Sequence, residues 1–388
     1  MLIEPIVAIA GAFAGILAGL FPGIHTNLLA VIIAGLHADV WLSSVFLVSV
    51  AVSRSVIDAV PAVFLGASDD VMALLPGHHL LKKGCGIEAV KFCVLGSILG
   101  IVGGLILVPL FLVSFPLIFS PIRPFIFWIL LSLVLVLLYR DGWKSIIVFV
   151  LAGILGVLSL DSVREPLFPL LSGLFGASGL IISIVNNVNI PEQLNTDVLK
   201  MRKLPLFLAT MTGVLAGSMV SLFPGLSPSH AASLSQVKKM KALQFLVLTG
   251  ALGTVDIVIS LVTLFVLGKA RNGAVVVIEQ LLGAVPEIAL IVFLAAACAA
   301  AGISAVAALF SSKWYAGIME KIDYSLLSAL VLLFLLAMSF ILSGWLGVLV
   351  FITAAAIGLI APLTGISRSH AMGCLLLPTL IILSPIAL

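Results

Sequence analysis

One stretch of this chain occurs twice, and the rest of the sequence has to be read around that fact. The first copy is Gly11-Ala12-Phe13-Ala14-Gly15, four more residues, then Leu20-Phe21-Pro22-Gly23; the second is Gly213-Val214-Leu215-Ala216-Gly217, four residues, then Leu222-Phe223-Pro224-Gly225. Seven of 13 positions are identical without a gap, at an offset of 213 − 11 = 202 residues, just over half of the 388-residue chain. Glycine and leucine recur by chance in an apolar chain, but Leu-Phe-Pro-Gly at the same distance from Gly-x-x-Ala-Gly in both halves does not. The chain therefore reads as two homologous halves, 1–185 and 205–388, joined by a polar linker at 186–204.

Proline lacks a backbone donor and clashes with the preceding helical turn, while glycine accepts backbone conformations that other residues avoid. A Pro-Gly pair inside an apolar run breaks a helix, and broken backbone at membrane depth is tolerated only where it is buried in protein or lines a cavity. Interrupted segments at matching places in two halves point to a transporter's binding site. Polar residues follow both breaks: His25, Thr26 and Asn27 after Pro22-Gly23, and Ser227, Ser229 and His230 after Pro224-Gly225. The competing reading is a pair of kinked helices shaped only for packing.

The chain is 62% hydrophobic and 9% charged, against roughly 25% charged residues in soluble domains. This composition requires an all-α polytopic membrane protein. At roughly 20 apolar residues per crossing the length suits about 10–12 membrane segments, some of them broken or re-entrant. A net charge of +3 without any basic tract gives no basis for nucleic-acid binding. Cys85, Cys93, Cys298 and Cys374 form no Cys-x-x-Cys pair, so neither a metal centre nor a disulfide framework is expected, and no cofactor is implied. The N-terminus carries Glu4 and no basic region, unlike a secretory leader.

Along the first half, a segment at 41–65 holds Arg54 and Asp58, four residues apart and so on one helix face. Charges inside a membrane segment usually face a partner or a cavity; the alternative is a helix end with Arg54 reaching to the interface. Apolar runs at 91–119, 125–139 and 145–160 read as plain spans, and the Arg140-Asp141-Gly142-Trp143-Lys144 link as an interfacial anchor. The linker carries Lys200, Arg202 and Lys203 and is expected on the cytoplasmic side. In the second half the basic Lys238-Lys239-Met240-Lys241 stands where the first has His37-Ala38-Asp39. Opposite charge at equivalent links suggests opposite sides of the membrane, hence an inverted repeat. Asp256 follows Thr254 much as Asp58 follows Ser55. A third polar turn, Gly365-Ile366-Ser367-Arg368-Ser369-His370-Ala371, matches the stretch from Gly225 to Ala231 at five of seven positions.

A half-helix that starts after such a break offers unpaired backbone donors and a positive dipole end, which suits an anion. Serine hydroxyls add neutral donors, and Arg54 or Arg368 a planar fork for carboxylate or phosphate. Asp58 and Asp256, with Arg54, are the candidates for ion coupling to H⁺ or Na⁺. The candidate substrate-binding set is Pro22, Gly23, His25, Thr26, Asn27, Pro224, Gly225, Ser227, Ser229, His230, Ser367, Arg368, Ser369 and His370. No His-Glu-x-x-His or Gly-x-Ser-x-Gly pattern occurs, so an enzyme is not expected. These residues describe a secondary active carrier for small organic anions. The alternative is a translocase for a polyprenyl-phosphate or similar anionic lipid, its head group carried by paired re-entrant hairpins.

The Gly-x-x-x-Gly…Leu-Phe-Pro-Gly opening resembles that of the TctA family, the large membrane subunit of tripartite tricarboxylate transporters. The stretch from Ser55 through Val63-Phe64-Leu65-Gly66 to Leu75-Pro76-Gly77-His78-His79-Leu80-Leu81-Lys82-Lys83-Gly84 is similar to the family's apolar strip, Pro-Gly turn and basic-Gly link. Pro169-Leu170-Leu171-Ser172-Gly173-Leu174-Phe175 is similar to its mid-chain Gly-Leu-Phe signature. The resemblance implies a plasma-membrane permease for organic anions, carboxylates among them, coupled to H⁺ or Na⁺. It also implies a small membrane subunit and an extracytoplasmic binding protein as partners, unless this shorter chain is a stand-alone branch; a homodimer is compatible with either. His25 and Asp69-Asp70 depart from the small-residue turns of the family pattern.

Overall fold

A computed structural model of the chain describes residues 3–20, 39–65, 76–77, 79–185, 191–194, 199–223, 231–232, 240–270, 272–283, 285–319 and 324–385, and among these it is helical with no strand. In chain order the helices are α1 (Ile3–Leu20), α2 (Val40–Ile57), α3 (Ala59–Phe64), α4 (Gly86–Ile122), α5 (Ile126–Asp141), α6 (Trp143–Ser162), α7 (Leu167–Leu171), α8 (Ser178–Val185), α9 (Lys203–Val220), α10 (Ala242–Leu267), α11 (Gly273–Leu282), α12 (Glu287–Met319), α13 (Tyr324–Thr364) and α14 (Gly373–Leu383). A π-helical turn, Ser172–Ala177, joins α7 to α8, and a 3-10 turn, Arg368–Met372, joins α13 to α14. Among the described residues nine helical runs are long and apolar enough to cross a membrane. Two of them, Gly86–Asp141 with 56 residues and Ser325–Thr364 with 40, are long enough for two crossings each, in keeping with the 10–12 segments expected.

The helix ends follow from local chemistry. Asp39 caps α2 by accepting the Leu42 N–H at 2.9 Å, and Asn272 caps α11 by accepting the Ala274 N–H at 3.1 Å. Gly268, at φ 61°, ends α10 in the left-handed conformation. Gly142 (φ 79°, ψ −173°) separates α5 from α6, and Gly344 (φ 65°, ψ −160°) puts the same non-helical break inside α13, 202 residues later. Both glycines precede a tryptophan, Trp143 and Trp345, so the matching offset extends beyond the opening motif.

Packing repeats at the same offset. A Cβ on Gly11 would stand 2.6 Å from the Phe46 carbonyl oxygen, and one on Gly15 2.5 Å from that of Val50. In the second half Gly213 meets the Leu248 carbonyl oxygen at 2.7 Å and Gly217 that of Leu252 at 3.0 Å. All four residues of one contact pair map onto the other at +202. The glycines are there because α1 rests directly on the backbone of α2, and α9 on that of α10, as small residues permit between membrane helices. Contact order rises together along both partners, so α1 runs parallel to α2, and α9 to α10. Leu20, which ends α1, and Val40, which begins α2, therefore lie at opposite ends of the pair.

The third long helix of each half packs on the second helix of the other half. Gly250 of α10 sits on the Cys93 backbone of α4, and Thr254 Oγ1 donates to the Ser97 carbonyl at 2.9 Å. Ser53 of α2 donates to the Ala300 carbonyl of α12 at 3.3 Å, and Trp41 stacks near Phe293, with ring centroids 5.7 Å apart. The buried faces of α4 and α12 correspond at +200, as Ala89 and Ala289, Cys93 and Phe293, or Val108 and Ala308 show. Meanwhile α2 and α10 run in opposite directions: Gly253 faces Ser55, while Gly77 touches both Val63 and Leu246.

Two groups of helices result. The first, α1–α4 with α9–α12, shares a large apolar core drawn from both halves, with a smaller cluster on α9 and α10 beside it. The second, α5–α8 with α13 and α14, holds three smaller clusters. It is crossed the same way: Gly156 of α6 abuts the Cys374 carbonyl, and Gly358 of α13 that of Leu174. Among the described residues the extensive helix-to-helix packing lies within each group, and α4 carries the chain from one to the other.

Linker residues are docked in part. Gln193 is buried; its Oε1 accepts the Gly86 N–H at 2.9 Å and its Nε2 donates to the Leu81 carbonyl at 3.1 Å. The Leu199 N–H donates to Glu88 Oε2 at 2.8 Å. The polar linker is thus pinned at Gln193 and Leu199 to the start of α4, because the first N–H groups of a helix need acceptors.

Candidate functional site

The breaks themselves, with Pro22, Gly23, His25, Thr26, Asn27, Pro224, Gly225, Ser227, Ser229 and His230, lie outside the described residues. The helices leading into them are described, and each ends beside a buried charged residue. Gly19, two residues before Phe21, packs on α2 at Arg54; a Cβ there would lie 3.3 Å from the Arg54 carbonyl oxygen. Ser221 stands 202 positions after Gly19, and its Oγ lies 3.1 Å from both the carbonyl oxygen and Oδ1 of Asp256. Arg54 + 202 is Asp256. The packing register thus pairs Asp256 with Arg54, not with Asp58 as the spacing from the preceding hydroxyl residues suggests; Asp58 corresponds to Ser260. Arg54 and Asp58 are four residues apart, about one helical turn, so sequence spacing alone could not separate the two alignments.

Arg54 and Asp256 are 8% and 6% exposed, deep enough that each needs polar partners. The Asp256 carboxylate has two from neutral side chains: Ser221 Oγ at Oδ1, and Asn272 Nδ2, which donates to Oδ2 at 2.9 Å. Because the Asn272 oxygen is already capping α11, its amide is oriented with the nitrogen toward Asp256. One turn further along α10, the buried Ser260 Oγ has no hydrogen-bond partner among the described residues. Helical serines commonly donate to the carbonyl four residues back; here that carbonyl, of Asp256, receives Ser221. Between the two charged positions α2 touches α10, where a Cβ on Gly253 would stand 2.8 Å from Ser55 Oγ. Asp58 follows the end of α2, its N–H donating to the Arg54 carbonyl at 3.0 Å.

Ser367, Arg368, Ser369 and His370 form the turn between α13 and α14, in the second helix group. Ser367 Oγ lies 2.7 Å from Ser369 Oγ, and His370 Nε2 lies 2.6 Å from Asp141 Oδ2. His370 is 3% exposed, and Arg368 Nε is buried without a partner among the described residues. The structure joins this turn to Asp141, a residue the sequence places in an interfacial link, and among the described contacts does not join it to Arg54 or Asp256. Among the described residues no group of three or more His, Cys, Asp or Glu side chains could hold a metal ion.

Sequence reasoning passed over Ser221, Asn272 and Asp141. Ser221 had a signal: it is the polar residue at the place of Gly19 inside the repeated stretch. Asn272 and Asp141 had none, since each reaches its partner only through folding.

No solved structure matches this chain. An uncharacterized protein of Methanocaldococcus jannaschii is 28% identical over 399 residues, covering 96% of this chain and 97% of that protein. The model of the tripartite tricarboxylate transporter TctA family matches residues 6–373, nearly the whole chain with both broken segments and the third polar turn inside the match. Duplicated helices, buried charges beside each break and this match together place the protein in the TctA family of membrane transporters.

Proposed function

We propose that this protein is a secondary active carrier for small organic anions of the carboxylate class, coupled to H⁺ or Na⁺. The observation that carries the reading is the pairing of Arg54 with Asp256 at equivalent positions, each beside the helix end that leads into a Pro-Gly break. A fixed guanidinium suits a carboxylate, which it can hold through two parallel hydrogen bonds. A carboxyl at the equivalent place suits a cation. The architecture is symmetric and the chemistry is not, as symport of an anion with a cation needs. In this reading His25, Thr26, Asn27, Ser227, Ser229 and His230 add donors from the two breaks, and Asp58 serves the coupling ion with Asp256. Ser367, Arg368, Ser369 and His370 form a second polar turn for the anion.

The halves 1–185 and 205–388 are inverted repeats in this reading, which the opposite run of α2 and α10 supports. Charge at the helix starts supports it too. Lys82 and Lys83 precede α4, Lys200, Arg202 and Lys203 lead into α9, and Lys241 caps α10, whereas α1, α2 and α12 begin with Glu4, Asp39 and Glu287. By the positive-inside tendency, the starts of α4, α9 and α10 face the cytoplasm, and the start of α1 faces out across the cell membrane. The family name further suggests two companion subunits; co-purification from cells expressing the neighbouring subunits would test that.

The test is uptake of radiolabelled citrate and succinate into liposomes containing the purified chain, under imposed pH and Na⁺ gradients. Gradient-driven uptake of either, reduced at least about tenfold by Arg54→Gln, the loss of one buried charge-assisted contact of about 1.5–3 kcal/mol, is the expected result. The parallel variant Arg368→Gln separates the second turn. Failure to move any carboxylate, with movement of a polyprenyl-phosphate analogue between leaflets, would replace the carrier with a lipid translocase.

A further inference from the structure

Within the carrier reading, we infer that the coupling ion is a proton, and that it rides on Asp256 with Ser221 and Asn272 as its positioning residues. A buried carboxylate among neutral groups in a membrane segment is costly unless it is paired or neutralised. Asp256 has no ion pair among the described residues, and both of its oxygens are engaged: Oδ1 by Ser221 at 3.1 Å and Oδ2 by Asn272 at 2.9 Å. The Asn272 nitrogen points donor hydrogens at Oδ2, where a bound metal cation would instead need an oxygen donor facing it. The elements packed on α10 carry other charged or titratable groups: Arg54 on α2 and Asp58 just after it, Glu88, Lys91 and Cys93 at the start of α4, Lys203 at the start of α9, Glu279 on α11, and Glu287, Cys298, Lys313 and Tyr315 on α12. None of them hydrogen-bonds or ion-pairs with Asp256. From residue 94 to residue 122, the part of α4 that faces this level of α10, no titratable side chain occurs.

Ser221 makes the site satisfiable in both protonation states. Its hydroxyl has one hydrogen and three acceptors within reach, the carbonyl oxygens of Gly217 and Asp256 and Oδ1 of Asp256, each at 3.1 Å. When Asp256 is charged, the hydroxyl donates to Oδ1. When a proton arrives from water and forms the Oδ1–H bond, that group donates to the Ser221 oxygen, and the serine hydrogen turns to a backbone carbonyl. Asn272 holds Oδ2 throughout. One rotation of one hydroxyl thus accommodates gain or loss of the proton with no buried group orphaned. Ser260 Oγ, one turn along the same face and without a partner among the described residues, offers the next acceptor along a proton's path.

The test uses the full chain reconstituted in liposomes and has two arms. Infrared difference spectra across a pH titration should show the carbonyl stretch of a protonated carboxylic acid that appears and disappears reversibly. That band should be lost in Asp256→Asn, restored in Asp256→Glu, and shifted in its titration midpoint by Asn272→Leu, which a purely structural role would not do. In Na⁺-free buffer, an inward pH gradient should drive [¹⁴C]citrate accumulation at least tenfold over the gradient-free level, and Asp256→Asn should abolish that increment. Identical titrating bands in wild type and Asp256→Asn would overturn the inference, as would accumulation driven by a Na⁺ gradient alone. If wild type moves citrate and succinate under neither gradient, the carrier reading fails while the infrared arm still decides whether Asp256 takes up a proton.

Discussion

The sharpest check on the helix packing is alanine at Gly15. A Cβ there would lie 2.5 Å from the Val50 carbonyl oxygen, 2.8 Å from Ser53 Cβ and 3.0 Å from Val50 Cα. Ordinary contact begins near 3.4 Å, so α1 must move off α2 by about 1 Å, because a backbone carbonyl cannot rotate away. Overpacking of this kind costs roughly 1–3 kcal/mol, and alanine's better helix propensity returns about 1 kcal/mol. The net loss expected is up to about 2 kcal/mol, a factor of up to about 30 in the folded-to-unfolded ratio. The loss should shrink in the order Gly15, Gly11, Gly213, Gly217, as the nearest backbone atom recedes from 2.5 to 3.0 Å. Gly302 is the control: it lies within α12 with nothing within 4 Å of a new Cβ, so Gly302→Ala should stabilise by about 1 kcal/mol. Thiol-reactive dye melting reads this directly, since Cys85, Cys93 and Cys374 are buried and react on unfolding, while the exposed Cys298 gives the baseline. A Gly15→Ala protein that melts at or above wild type, in step with Gly302→Ala, would refute the direct backbone contact between α1 and α2.

The same melting assay applied to Asp141→Asn, His370→Gln and the double variant should show each single change costing about 1–3 kcal/mol, with the double costing little more than either, as expected for one charge-assisted contact. Gln193→Ala should free the docked linker, costing about 1–2 kcal/mol through the orphaned Gly86 N–H. Its readout is faster trypsin cleavage at Lys200, Arg202 and Lys203; unchanged cleavage would show that the docking contributes nothing. Single cysteines placed at Lys83 and at Glu287, in a background without the native four, should be labelled by an impermeant reagent from opposite sides of the membrane. Labelling of both from one side would remove the inverted arrangement.

Much of the architecture was legible because it follows from chemistry local to the chain. Low charge and long apolar runs require helices in a bilayer, where every backbone group must be satisfied within its own segment. The repeated Gly-x-x-Ala-Gly and Leu-Phe-Pro-Gly stretch marked the two halves, and the spans at 91–119, 125–139 and 145–160 stand where α4, α5 and α6 lie. Arg54 and Asp256 were visible as charges in apolar segments. Which residues answer each other was not visible. Matching Asp256 to Asp58 rather than to Arg54 differs by four residues, about one helical turn, an ambiguity that only the contact of Gly19 with Arg54 and of Ser221 with Asp256 resolves.

By itself, then, the sequence determined a duplicated, all-helical membrane transporter with interrupted helices and a few intramembrane charges. Each of these is set by composition or by residues within a few turns of one another. Only the tertiary structure decided that the third long helix of each half packs on the second helix of the other, that the linker glutamine supplies the missing acceptor at the start of α4, and that Asn272 and Ser221 enclose Asp256 while Asp141 reaches His370. Those pairings join residues from 16 to 229 positions apart. They depend on where glycines let backbones touch and on which buried polar groups still need a partner once they do, and no local pattern in the chain carries that information.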